Sequence, residues 1–145
     1  MSSAASDRPD AFRLPVRIYW EDTDAGGVVY HARYVGFLER ARSEWMRSLG
    51  HGQRAMGREQ GVVFAVRAMA LDFRKPARLD DALQVSVELR QLGRASLRFY
   101  QAIHRGDELL LEAEVKIASL GADDFRPRAI PDALHAQLHG LAGPA

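Results

Sequence analysis

Between Glu21 and His31 the chain reads Glu21-Asp22-Thr23-Asp24-Ala25-Gly26-Gly27-Val28-Val29-Tyr30-His31. Carboxylates at Asp22 and Asp24, the adjacent Gly26 and Gly27, and His31 stand between a run with strand alternation and a long run with helical periodicity. Adjacent glycines let backbone approach a ligand closely and take dihedrals that other residues resist. A strand that turns in this way into a helix start aims free backbone N–H groups at one spot, which suits a developing negative charge. A carboxylate a few residues from such a spot supplies the parts of an acyl-transfer or hydrolytic centre. The chain therefore reads as an enzyme, with this turn as its active site.

Each candidate also has a plainer reading. Asp24 before Ala-Gly-Gly is good turn chemistry, an Asx-turn or local cap, and Asp22 reads as a residue that orients the turn. Asp22-Thr23-Asp24 opens like a calcium loop, but the twelfth position is Arg33, where that loop needs a bidentate Glu. His31 is either a general acid/base or a helix-start residue. His51, His104, His135 and His139 show no ligand-type spacing with it, so no metal site is expected. Glu39 and Glu44 read as solvated helix charges, and Tyr34, Phe37 and Trp45 as core. Arg74, Lys75 and Arg78 could hold phosphates, although a basic cluster after a strand is more often plain surface.

The elements that must position these groups follow from periodicity. Met1 to Ala11, rich in Ser, Ala and Asp, is expected to be mobile. From Leu14 to Glu21, Val16, Ile18 and Trp20 alternate with Arg17, Tyr19 and Glu21, a first strand. From His31 to Leu49, Tyr34, Leu38, Ala41, Trp45 and Leu49 form the apolar stripe of an amphipathic helix. Arg33, Glu39, Arg40, Arg42, Glu44 and Arg47 lie on its other side, and Gly50 stands where a helix-ending glycine belongs. At about 1.5 Å per residue this helix spans about 28 Å, enough to cross a small sheet.

Residues 51 to 60 read as a polar connector with one short helical turn. Val62 to Arg74 is apolar on both faces, with Val62, Phe64 and Val66 on one and Val63, Met69 and Leu71 on the other. Such a strand is usually central. Leu83, Val85, Val87 and Leu89 alternate with polar residues in a half-buried strand. Turns at Gly93-Arg94 and Arg105-Gly106-Asp107 lead into strands over 96–104 and 108–120, the latter with Leu109, Leu111, Ala113, Val115 and Ile117 in line. A loop and a short helix over 132–141 complete the chain. The order predicts an α+β fold of one domain, 14–141 after a tail of 1–13: an antiparallel sheet of about five strands curled around one long helix. One helix covers one face only, and the two-sided strand suggests that a second copy buries the other.

A chain of 145 residues fits one compact domain with a real core. A net charge of +1 does not point to nucleic acid, which would require a dense basic face. No cysteine is present, which rules out disulfides, thiolate chemistry and zinc–sulfur sites in this sequence and suits a reducing compartment. Residues 1–10 do not read as a secretory signal, and no run approaches the roughly 18 apolar residues of a membrane span. A cytoplasmic location is the expectation.

The stretch from Arg17 to Val35, followed by Phe37-Leu38-Glu39-Arg40-Ala41-Arg42, resembles the bacterial acyl-CoA thioesterases associated with the Tol-Pal system. These are relatives of the 4-hydroxybenzoyl-CoA thioesterases with the hotdog fold. The resemblance runs from about Leu14 to Pro131 and includes Pro76-Ala77-Arg78-Leu79-Asp80-Asp81 and Glu112-Ala113-Glu114-Val115. It implies a helix wrapped in an antiparallel sheet and homodimers that share sites across their interface, often paired into homotetramers.

The resemblance also assigns roles. Asp24 matches the family's essential carboxylate. His31 falls at the helix start, where its N–H polarises the thioester carbonyl, and its side chain is a second catalytic candidate. Gly26, Gly27 and Tyr30 complete the turn around the oxyanion. The aromatic-binding branch carries a proline after the essential Asp; Ala25 stands there instead, which favours an aliphatic acyl group. The activity implied is hydrolysis of short- to medium-chain acyl-CoA to the free acid and CoA, with CoA as part of the substrate and no cofactor or metal. The rival reading is a non-catalytic scaffold that holds acyl-CoA or acyl carrier protein in envelope lipid metabolism. A dehydratase of the same fold is a second rival.

Overall fold

A computed structural model describes residues 8–142. The first strand, β1, covers Phe12–Arg17, and α1 covers Arg33–Ser48. A short helix, α2 (Gln53–Ala55), leads into a π-helical turn over Met56–Gln60. Four long strands follow: β2 (Val62–Phe73), β3 (Ala82–Leu92), β4 (Ser96–Arg105) and β5 (Glu108–Gly121), then α3 (Asp132–His139). The strands form one antiparallel sheet in the order β1-β3-β4-β5-β2, with α1 laid across one face. This is the α+β arrangement expected from the order of periodicities: five antiparallel strands around one long helix.

Helix α1 buries Tyr34, Phe37, Leu38, Ala41, Trp45 and Met46 against the sheet. Opposite them lie Leu83, Val85, Leu89, Phe99, Ile103 and Val115, all inaccessible or nearly so. Tyr34 meets Phe37 edge to face, and Trp45 meets Phe99 in the same way. Such pairs contribute about 0.5–1.5 kcal/mol beyond their area. The helix ends in a Schellman motif. Gly50 has φ +89° and its N–H bonds the Arg47 carbonyl, while the His51 N–H reaches back to Met46. Gln137 of α3 ties down the same end, donating to the Leu49 carbonyl and meeting His51.

Several expectations are corrected. The first strand begins at Phe12, not Leu14, and ends at Arg17. The alternation breaks after the buried Ile18, because Trp20–Asp22 winds into a 3-10 turn that leaves Trp20 81% exposed. Of the tail expected over 1–13, residues 1–7 lie outside the described residues, and Arg8 is tied through its backbone and guanidinium to Glu88. Arg42, expected on the solvent side of α1, is buried.

The strand expected to be central, β2, lies at the sheet edge. Its register explains the error. Val66 pairs with Ile117 and Ala68 with Lys116, so Arg67 is one extra residue, a β-bulge. Because side chains alternate with period two, a bulge exchanges the faces. Phe64 and Val66 before it and Met69, Leu71 and Phe73 after it therefore face the same way, toward α1. What reads in sequence as two apolar faces is one face in two frames. A second bulge at Leu110 of β5 has the same effect: Leu109 leaves the line expected for it, and Leu110 is buried in the core instead.

Candidate active site

The turn after β1 is built by its own backbone. Asp24 N–H bonds the Val28 carbonyl and Gly27 N–H bonds the Asp24 carbonyl, at 2.9 and 3.0 Å. Gly27 takes φ +81°, a left-handed conformation that needs glycine. The Asp24 carboxylate accepts the Gly26 N–H at 2.8 Å, the Asx-turn that Asp before Ala-Gly-Gly predicts. A Cβ on Gly26 would meet that oxygen at 3.1 Å. Asp22, nearly buried, accepts the Tyr19 N–H at 2.9 Å, and its carbonyl accepts the Tyr30 N–H. It therefore holds the two ends of the turn together, the orienting role read for it.

The opposite wall is the segment after β2, which sequence reading treats only as a weak phosphate site. Val29 N–H donates to the Ala77 carbonyl at 2.9 Å, and Val28 forms a bridge with Arg78. Ala77 is fully buried, and its own N–H donates to the Tyr34 hydroxyl at 3.0 Å. Tyr34 thus joins the start of α1 to this wall. Burial pushes its phenol above the ordinary range, against the lowering effect of the Ala77 N–H. Asp81 fastens the wall from behind by accepting Arg78 N–H at 2.8 Å and Arg105 Nη1 at 2.7 Å. Burial alone would raise the Asp81 pKa, but these hydrogen bonds and the Arg105 charge outweigh it and hold the carboxyl below its usual value.

Between the two walls lies an open cleft of about 260 Å³ lined by Val29, His31, Tyr34, Phe73, Arg74, Lys75 and Pro76. Phe73 is half-exposed and packs edge-on against Tyr34, giving the cleft an apolar floor. His31 is exposed at its rim, with the Tyr30 ring tilted against it at 4.7 Å. The His31 N–H donates to no acceptor among the described residues, leaving it available at the start of α1. Asp24 is exposed on the adjoining turn, and among the described residues no hydrogen bond joins it to His31.

The three cations differ. Arg74 and Lys75 line the cleft while paired to carboxylates, Arg74 to Asp72 at 3.1 Å and Lys75 to Glu108 at 3.2 Å. Arg78 is exposed and contributes backbone to the bridge. Among the described residues no three His, Asp or Glu side chains gather as metal ligands. No helix among the described residues is long and apolar enough to cross a membrane.

Residues that sequence reading missed, Ala77, Asp81 and Arg105, act through backbone and second-rank contacts. For Ala77 and Asp81 the signal is the Pro76–Asp81 stretch already noted for resemblance; Arg105 carried none. Arg42 lies in the Phe37–Arg42 stretch of the same resemblance, but its place in the helix period is polar and points to solvent.

Known proteins resemble this chain in sequence and fold. The thioesterase-like superfamily matches residues 18–138. A protein of Haemophilus influenzae named acyl-CoA thioesterase YbgC is 42% identical over 132 residues, which cover 91% of this chain and 97% of that one. An Escherichia coli protein named acyl-CoA thioester hydrolase YbgC is 46% identical over 128 residues, 88% of this chain and 95% of that one. The crystal structure of a probable thioesterase from Bartonella henselae superposes with a TM-score of 0.79 at 36% identity, covering 82% of this chain and 98% of the other.

Proposed function

This chain belongs to the thioesterase-like superfamily, and from that premise we propose that it hydrolyses short- to medium-chain acyl-CoA thioesters to the free acid and CoA. The observation that carries the reading is the Asp24–His31 turn: His31, whose N–H is unengaged at the start of α1, lines an apolar-floored cleft, and Asp24 stands exposed on the same turn. In this reading the thioester carbonyl lies at the His31 N–H, where the positive end of α1 stabilises the oxyanion. Asp24 attacks the carbonyl carbon or takes a proton from the water that does, and the C–S bond breaks to release CoA thiol. The His31 side chain assists, and Gly26, Gly27 and Tyr30 hold the turn. The chemistry needs no metal or redox cofactor. Arg74 and Lys75, which line the cleft, and the exposed Arg78 are the candidates for the CoA phosphates.

The working unit is a homodimer, with a homotetramer as its further assembly. Strand β2 supports this: it is 12 residues long, stands at the sheet edge, and exposes Val66 and Phe73 by about half. A long apolar edge is a template for pairing with another chain. Edge-to-edge pairing of two β2 strands would extend the sheet and bring the cleft of one copy to the inner face of the other. A cytoplasmic location, acyl carrier protein as a further partner and association with the Tol-Pal system follow the resemblance and belong to the same proposal.

Thiol release from a panel of acyl-CoAs, comparing wild type with Asp24→Asn of matched fold and assembly, tests the reading. The substitution keeps the turn and removes the charge. Activity is expected to fall by about 10²–10⁴. Equal activity would make Asp24 a turn residue only. No hydrolysis by either protein, with tight binding of acyl carrier protein, would favour the scaffold.

A further inference from the structure

A second cavity, of about 280 Å³, lies between α1 and the sheet on the same inner face. Phe64, Val66, Leu97, Phe99 and Met46 give it apolar walls, and Arg42, Glu39 and Ser43 are the polar residues of its lining. Arg42 as a whole residue is 8% exposed. Its one hydrogen bond, from Nη1 at 2.9 Å, goes to the Gln101 side-chain oxygen. Gln101 is itself fixed, since its amide nitrogen donates to the Leu38 and Ser86 carbonyls. The other N–H groups of Arg42 donate to no protein acceptor among the described residues, and none of these unpaired groups is fully buried. Glu39, one turn earlier and exposed, acts on Arg42 through its charge without an ion pair. A buried cation without an opposite charge in contact is costly, and burial pulls the guanidinium below its ordinary pKa.

The cavity is far from its own chain's cleft. Phe64 and Val66 stand seven to nine residues from Phe73, about 23–30 Å along β2 at about 3.3 Å per residue. In an antiparallel pairing of two β2 strands over their full length, Phe64 and Val66 face Leu71 and Met69 of the second copy. That leaves only about 7–13 Å to the second copy's Phe73. The cavity thus continues the cleft of the neighbouring copy, where an acyl chain held at the turn would end.

We propose that Arg42 makes this cavity a receptor for a carboxylate at the far end of the acyl group, so that the preferred substrates are CoA monothioesters of short dicarboxylic acids. The inference rests on the thioesterase reading above and on the edge-to-edge pair. A carboxylate accepts from the free N–H groups of the guanidinium and supplies the missing charge. A methyl terminus of equal length leaves the guanidinium as it is.

The test is kcat/KM for glutaryl-CoA against pentanoyl-CoA, corrected for spontaneous hydrolysis, in wild type and in Arg42→Met, with 3-hydroxypentanoyl-CoA as a neutral oxygenated control. Wild type is expected to favour glutaryl-CoA at least tenfold over both others, with the ratio collapsing toward one in Arg42→Met. A wild-type ratio of one or below overturns the proposal even if the variant does not fold. A parallel fall of all substrates in a folded Arg42→Met variant also overturns it, because Arg42 would then be a packing residue. If no thioester is hydrolysed, the thioesterase reading fails by itself. The affinities of the same pair, read by titration calorimetry, then decide the Arg42 proposal: tighter glutaryl-CoA binding lost in Arg42→Met supports it, and equal affinity overturns it.

Discussion

Tyr34 works at both ends. Its ring packs between Phe37 and Phe73 while its hydroxyl accepts the Ala77 N–H from a fully buried residue. Tyr34→Phe keeps the packing and leaves that N–H without its acceptor, a loss of about 1–3 kcal/mol. Thermal unfolding should show a lower midpoint by several degrees, and faster hydrogen exchange is expected at Ala77 than in wild type. An unchanged midpoint would mean that the N–H finds another acceptor. At this scale much of the site was legible. Asp24 as an Asx-turn residue, Asp22 as the turn's anchor and Gly27 at a positive φ follow from local chemistry that needs only neighbours in sequence. Arg42 was not legible. A polar residue at a helical position reads as solvent-facing, and only the Gln101 amide, 59 residues away, reveals that it turns inward.

Among the elements, the wall over 74–81 depends on charge. Asp81 is held below its usual pKa in the fold, so it contributes stability that is fully present above its unfolded value, about 3.9, and is lost as pH falls through the lower folded value. Asp81→Asn removes the charge-assisted bond from Arg105 and should cost about 1–2 kcal/mol at pH 7. The gap between the two proteins should close as both are taken below pH 4, and a gap constant with pH would assign Asp81 a purely steric role. The same scale shows where periodicity misleads. Strands β3 and β4 placed Leu83, Val85, Leu97 and Phe99 inward as their alternation predicts. In β2 and β5 a single extra residue, Arg67 or Leu110, exchanged the faces, and nothing in composition marks a bulge. The first strand was overrun at its end because Trp20 continues an alternation that the backbone has already abandoned for a 3-10 turn.

For the whole molecule, the edge of β2 decides whether one chain suffices. Ala68 is exposed near the middle of that strand, and in the full-length two-fold pair it faces Arg67 of the second copy. Replacing Ala68 with Arg sets like charges opposite one another across the edge. The expected result is a shift from dimer to monomer in sedimentation or light scattering, with acyl-CoA hydrolysis lost in proportion to the monomer fraction. A monomeric wild type, or a charged variant that still dimerises, would move the interface elsewhere. The bulge at Arg67 also sets how this chain can drift in length. Loss of that one residue removes the bulge and leaves Phe64, Val66, Met69, Leu71 and Phe73 on one face in strict alternation. A single-codon deletion there therefore keeps the frame of the strand, whereas one further inserted residue would need a bulge of its own or turn part of the apolar set away from α1.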